Sequence, residues 1–100
     1  MAIKLLMTWD ILAGKEQEYF EFVVRDFIPS LQSIGMEPSD AWFTMYGKQP
    51  QIMASMVMPN LTALQTALDS QEWQSLKQRL LEYVENFDSK VVTARNGFQL

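Results

Sequence analysis

The feature that most restricts this chain is a mismatch between its strands and its helices. By hydrophobic period it runs strand, long helix, two strands joined by a tight turn, long helix, strand. The strands carry apolar residues on both faces, yet two helices can cover only one. A lone copy would leave apolar β surface in water, so the pattern predicts a partner before it predicts any chemistry.

The elements follow from spacing. Residues 2–12 set Ile3, Leu5, Met7, Trp9 and Ile11 against Lys4, Leu6, Thr8 and Asp10, the two-residue period of a strand. Ala13 and Gly14 break it, and Glu16, Glu18 and Glu21 then put negative charge in the first turns of a helix, where the macrodipole favours it. Phe20, Val23, Val24, Phe27, Leu31 and Ile34 form a helical stripe. Pro29 interrupts it by removing a backbone donor and crowding the carbonyl of Arg25, so a kink is expected there, and Gly35 closes the helix.

After a loop through Pro38, residues 41–46 and 51–58 read as a hairpin around Gly47, Lys48, Gln49 and Pro50. Pairing Tyr46 with Gln51 sets Thr44 against Met53, Trp42 against Ser55, Met45 against Ile52 and Phe43 against Ala54. Asn60 is placed to cap the second helix, whose stripe of Leu61, Leu64 and Leu68 slips by five residues to Trp73 before resuming at Leu76, Leu80, Tyr83 and Phe87. The slip predicts a short helix, a break, and a longer helix capped by Asp69 or Ser70. Residues 90–95 form the last strand.

Composition narrows the function classes. A chain of 100 residues is a single domain, residues 1–100, and a domain this small gains from an added interface. The hydrophobic fraction of 48% and charged fraction of 20% place it among globular folds. Net charge is −4 with eight scattered basic residues, so there is no electrostatic footprint for nucleic acid. Cysteine and histidine are both absent, which removes disulfides, thiolate nucleophiles, Cys or His zinc sites, histidine haem ligation and the usual general base near neutral pH. No metal or cofactor is expected. No apolar run approaches the ~20 residues of a membrane span, and the N-terminal segment reads as a strand and not a signal peptide, so the expected setting is the cytoplasm.

The βαββαβ order is the split βαβ arrangement of an α+β fold, a four-stranded antiparallel sheet with both helices on one face. The expected helix-facing set is Ile3, Leu5, Met7, Trp9, Phe43, Met45, Ile52, Ala54, Met56, Val92 and Ala94. The opposite face is expected to hold Leu6, Thr8, Asp10, Trp42, Thr44, Tyr46, Met53, Ser55, Val57, Val91, Thr93 and Arg95. A second copy of the sheet should cover it.

At this level the chain resembles the dimeric α/β barrel superfamily, in which two ferredoxin-like subunits pack sheet to sheet. Within it the closest likeness is to the NIPSNAP-like and antibiotic-biosynthesis-monooxygenase-like groups. The matching residues are Gly14 and Lys15 before the first helix, Ile28 and Pro29 late in it, the second strand from Trp42 to Gly47, and Glu72, Trp73 and Gln74 in the second helix. The resemblance spans the whole chain and implies the ferredoxin-like fold and a homodimer. Its members include cofactor-free oxygenases, haem-degrading enzymes, dismutases and stress-response proteins, and the enzymes often use a cleft histidine that this chain lacks.

Candidate site residues lie on the uncovered face. Asp10 is a carboxylate base at a cavity mouth if burial raises its pKa, and a solvated strand end or a partner of Lys90 if not. Arg95 suits an anionic substrate or, more simply, an intersubunit salt bridge. Trp42 and Tyr46 form a stacking platform for a planar ligand, with the Tyr46 hydroxyl, Thr44, Thr8, Met53, Ser55 and Thr93 around it, or else they fill the interface. Trp73 and most of the seven methionines read as core. The leading expectation is a homodimer that binds a small hydrophobic or aromatic molecule between its paired sheets. Alternatives are a cofactor-independent monooxygenase or isomerase using Asp10 and Tyr46 on an aromatic or polyketide-like substrate, and a ligand-free interaction module.

Overall fold

The computed structural model describes residues 2–43 and 51–93, without the side chains of Trp42 and Phe43. Nine segments follow in order: β1 (Ile3–Ile11), α1 (Glu16–Phe22), a π turn (Val23–Phe27), α2 (Ile28–Ser33), β2 (Glu37–Phe43), β3 (Ile52–Met58), α3 (Leu61–Asp69), α4 (Gln71–Leu80) and β4 (Val84–Thr93). The strands form one sheet in the order β2-β3-β1-β4, and every neighbouring pair is antiparallel. Leu5, Met7, Trp9 and Ile11 of β1 join Ile52, Ala54, Met56 and Met58 of β3 in one buried cluster with Tyr19, Phe22, Phe27, Leu31, Leu64, Ala67, Trp73, Leu76 and Leu80. All helices therefore lie on one side of the sheet, as the pattern predicts. Each of these larger side chains contributes roughly 1.5–3 kcal/mol on burial.

The first helix departs from its expected stripe. Tyr19 and Phe22 are buried, while Phe20 and Val24 are exposed, Val24 at 69%. The reason is the π turn, in which the Ile28 N–H reaches back five residues to the Val23 carbonyl. Pro29 has no N–H to donate, and it sits in the first turn of α2, directly after the wider turn. The extra residue rotates the face by about a quarter-turn, so Phe22 and Phe27, five apart, both point inward.

Gly35 ends α2 as expected. It sits at φ 87, its N–H bonds the Gln32 carbonyl, and the Met36 N–H bonds the Leu31 carbonyl, the paired bonds of a Schellman cap. Leu31 and Met36, both fully buried, supply the hydrophobic contact that accompanies it. The second helical region breaks where its stripe slips. The Asn60 side chain accepts from the Ala63 N–H at 2.8 Å, and the Ser70 hydroxyl accepts from the Trp73 N–H at 3.1 Å. Leu61, expected on the stripe, lies outside the core at 47% exposure.

Three strand assignments change. β2 begins at Glu37, so Pro38 lies in a strand and not in a loop; an edge strand tolerates the missing N–H, and a bulge between Pro38 and Asp40 absorbs the irregularity. The β2/β3 register pairs Phe43 with Ile52, Trp42 with Met53 and Ala41 with Ala54, two residues from the expected pairing. A two-residue slip keeps every side chain on its face, so the apolar pattern could not distinguish the two registers.

The last strand starts at Val84 and not at residue 90, and α4 ends at Leu80. Phe87, expected on the helix, lies in this strand next to a bulge where Asn86, at φ 56, and Phe87 stand opposite Trp9. Leu5 pairs with Val91 and Lys4 with Val92, which reverses the expected faces of Val91 and Val92. Tyr83, expected on the helix stripe, is in the connecting turn, where its N–H bonds the Leu80 carbonyl.

Candidate functional site

The π turn stands over the β2 side of the sheet and leaves a cleft of about 270 Å³ between helix and strands. β1 supplies Trp9, α1 supplies Tyr19, the π turn and the start of α2 supply Val23, Phe27 and Ile28, β3 supplies Ile52, Ala54 and Met56, and residues 38–41 of β2 form the remaining wall.

Trp9 is fixed at the base of this cleft. Its ring lies edge-on to Tyr19 and Phe27, with centroids 6.5 and 6.0 Å away, and parallel to Phe87 at 5.9 Å. Its indole N–H donates to the Tyr19 hydroxyl at 2.9 Å. Burial pushes the Tyr19 pKa above the ordinary phenol value, against the smaller opposing effect of the Trp9 hydrogen bond, so the hydroxyl stays protonated at neutral pH. No lining residue is a cation, and Asp40, though part of the wall, pairs opposite Ser55 and carries its carboxylate on the open face, 3.9 Å from Lys4. Electrostatically the cleft suits an uncharged guest.

Asp10 ends β1 on the opposite face. One carboxylate oxygen accepts from the Gln51 N–H at 2.8 Å and the other from the Asn86 side-chain amide at 2.9 Å, while the Gln51 side chain accepts from the Ile11 N–H at 2.7 Å. The Asn86 bond first, and the Gln51 bond second, hold the Asp10 carboxyl below the ordinary carboxylate value. Of the two readings of Asp10, the direction favours the structural one: hydrogen bonds to the charged form outweigh desolvation. Lys90, the alternative partner, stands opposite Leu6 and not opposite Asp10. Asp10 braces the end of β1 to the start of β3 and to the Asn86 bulge.

The other predicted site residues divide by register. Thr8 pairs with Met53, and Ser55 pairs with Leu6 and Asp40, so Thr8, Met53 and Ser55 adjoin on the open face. Ser55 is not free for a ligand: it is 1% exposed, and its hydroxyl shares a 2.6 Å hydrogen bond with that of Ser39. Thr93 pairs with Ile3 and so belongs to the helix-side face, contrary to expectation, because adjacent Val91 and Val92 offer an apolar residue to either face and only the pairing with β1 fixes the parity. Trp42 pairs with Met53 in the backbone register. Thr44, Tyr46 and Arg95 lie outside the described residues. The open face is mixed: Leu6, Met53, Val57 and Val92 alternate with Thr8, Asp88, Lys90 and a Lys4–Asp40 ion pair at 3.9 Å.

Sequence reasoning missed Tyr19 and the cleft around it. The available signal was the five-residue step from Phe22 to Phe27, the same kind of slip that marks the break before Trp73. Among the described residues no group of three carboxylates could hold a metal ion, and no helix is long and apolar enough to cross a membrane.

No family model matches this chain, and no curated protein matches its sequence. Solved structures do. A NIPSNAP family protein from Agrobacterium tumefaciens superposes with a TM-score of 0.75 at 21% identity, over 96% of this chain and 95% of its own. An ethyl tert-butyl ether d (EthD) family protein from Bacillus halodurans gives 0.74 at 14% identity, over 95% of this chain and 100% of its own. A Dabb family protein from Mesorhizobium loti gives 0.74 at 14%, over 95% of this chain and 98% of its own. At these identities the likeness carries the fold, and the chain accordingly has the ferredoxin-like fold found in NIPSNAP and Dabb family structures.

Proposed function

We propose that this chain is a binding protein for a small, mainly apolar molecule, held in the helix-side cleft beside Trp9 and Tyr19. The observation that carries the reading is the cleft itself: about 270 Å³ of space with mainly apolar walls, and among them Tyr19, whose hydroxyl is held by the Trp9 indole. This puts the ligand on the helix side of the sheet instead of between paired sheets. A homodimer through the open face remains part of the proposal, supported by Leu6, Met53, Val57 and Val92 on a surface no helix covers.

Proton abstraction by Asp10 gains no support, because a carboxyl with a lowered pKa is a weak base and both its oxygens are engaged. The binding reading is tested with a neutral, environment-sensitive naphthylamine dye. Wild-type protein should bind it with enhanced emission, and Ala41→Phe, which fills the cleft from an exposed strand position, should bind it at least tenfold more weakly with unchanged stability. Equal binding by both proteins would place the dye elsewhere. Sedimentation equilibrium tests the dimer: Leu6→Glu should shift the wild-type dimer to monomer, and a wild-type monomer would refute the pairing.

A further inference from the structure

Among the described residues the Tyr19 hydroxyl has one hydrogen-bond partner, the Trp9 indole. A phenol both accepts and donates, whereas an indole N–H only donates. The 2.9 Å bond from Trp9 therefore takes a lone pair on the Tyr19 oxygen and does not use the phenolic proton. No acceptor among the described residues receives it. Tyr19 is 3% exposed, so bulk water does not solvate it freely, and it lines the cleft. Ser39, which also borders the cleft, turns its hydroxyl to that of Ser55, 2.6 Å away.

A buried donor in an apolar cleft is strongly selective for what it faces, because a guest without an acceptor leaves the donor unpaired. The Trp9 bond also aims it. With the indole locked between Phe27 and Phe87, the acceptor lobe of the phenol is fixed, and the O–H is confined to the remaining directions.

We propose that the natural ligand is an uncharged carbonyl compound, a ketone or aldehyde on a hydrocarbon body, whose oxygen accepts the Tyr19 O–H. This rests on the cleft being a binding site, and it adds the chemical class. Carboxylic acids are disfavoured: their anions would enter an apolar cleft with no cation among its described lining residues.

Three probes of one shape separate the possibilities: 2-acetylnaphthalene, 2-ethylnaphthalene and 2-naphthoate, titrated by calorimetry into wild-type protein and into Tyr19→Phe. Wild type should bind the ketone about fivefold to tenfold more tightly than the hydrocarbon, the range of one net hydrogen bond, and bind the carboxylate least. Tyr19→Phe should retain the hydrocarbon and lose the preference. The infrared carbonyl stretch of bound 2-acetylnaphthalene supplies a measurement that needs no variant: in wild type it should move to lower frequency than in hexane. An unshifted stretch, equal affinity for ketone and hydrocarbon, a preference that survives Tyr19→Phe, or tightest binding of the carboxylate would each overturn the assignment. Binding of the hydrocarbon without a ketone preference would defeat this inference and leave the cleft reading standing; if none of the three binds, both fall.

Discussion

The Trp9–Tyr19 hydrogen bond joins the stability of the core to the chemistry of the cleft, and a double-mutant cycle measures it. Tyr19→Phe leaves the Trp9 N–H buried at 2% exposure with no acceptor, a loss of about 1–3 kcal/mol. Trp9→Phe removes the donor and also leaves space. For roughly 40 Å³ of lost volume at about 24 cal/mol per Å³, the cavity contributes about 1 kcal/mol, and lost transfer energy brings the total to about 2–4 kcal/mol. In the Trp9→Phe background no indole N–H needs Tyr19, so the second substitution should cost far less than it does alone. The expected coupling is about 1–2 kcal/mol. Urea unfolding followed by far-ultraviolet circular dichroism reads this directly, since a loss of about 2 kcal/mol moves the midpoint by about 1 M for a domain of this size. If the two single losses add to within about 0.5 kcal/mol, the bond contributes nothing measurable, and the argument that it orients the Tyr19 hydroxyl is refuted.

Gly35→Ala should lose roughly 1–2 kcal/mol from backbone conformation alone: φ is 87, and an added Cβ would meet only Met58 Cε, at 3.8 Å. An unchanged urea midpoint would contradict this. Ser70→Ala removes the hydroxyl that accepts from the Trp73 N–H and should cost about 1 kcal/mol, again read from the midpoint. Asp10 has a folded pKa below its unfolded one, so its stabilisation is present above the unfolded value and lost as pH falls through the folded one. Wild type should therefore lose more stability than Asp10→Asn between neutral pH and about pH 3, and parallel pH profiles for the two proteins would remove Asp10 from its bracing role.

Where the sequence was legible, a single local cause was enough. Alternation over β1, the caps at Asn60 and Ser70, and the glycine after α2 each involve a side chain or backbone conformation within a few residues of the feature it controls. It was illegible where two patterns had the same period. Leu80, Tyr83 and Phe87 fit a helix by spacing, yet a strand that carries a bulge between Val84 and Phe87 also sends both residues to the core, and only pairing with Ile11 and Trp9 selects the strand. Thr93 was misplaced because Val91 and Val92 suit either parity, and only the pairing of Thr93 with Ile3 selects one.

The amino-acid order by itself determined the βαββαβ succession, the single core, and the absence of histidine and cysteine chemistry, because these depend on composition and short-range period. Register and the cleft were decided only in three dimensions. Whether the helix stays α-helical through Pro29 or takes up a π turn before it depends on how Phe22 and Phe27 fit around Trp9, and that packing places Tyr19 on the wall of the cleft. Such an outcome is a competition between backbone hydrogen bonds and side-chain packing from distant strands, and no window along the chain contains both terms.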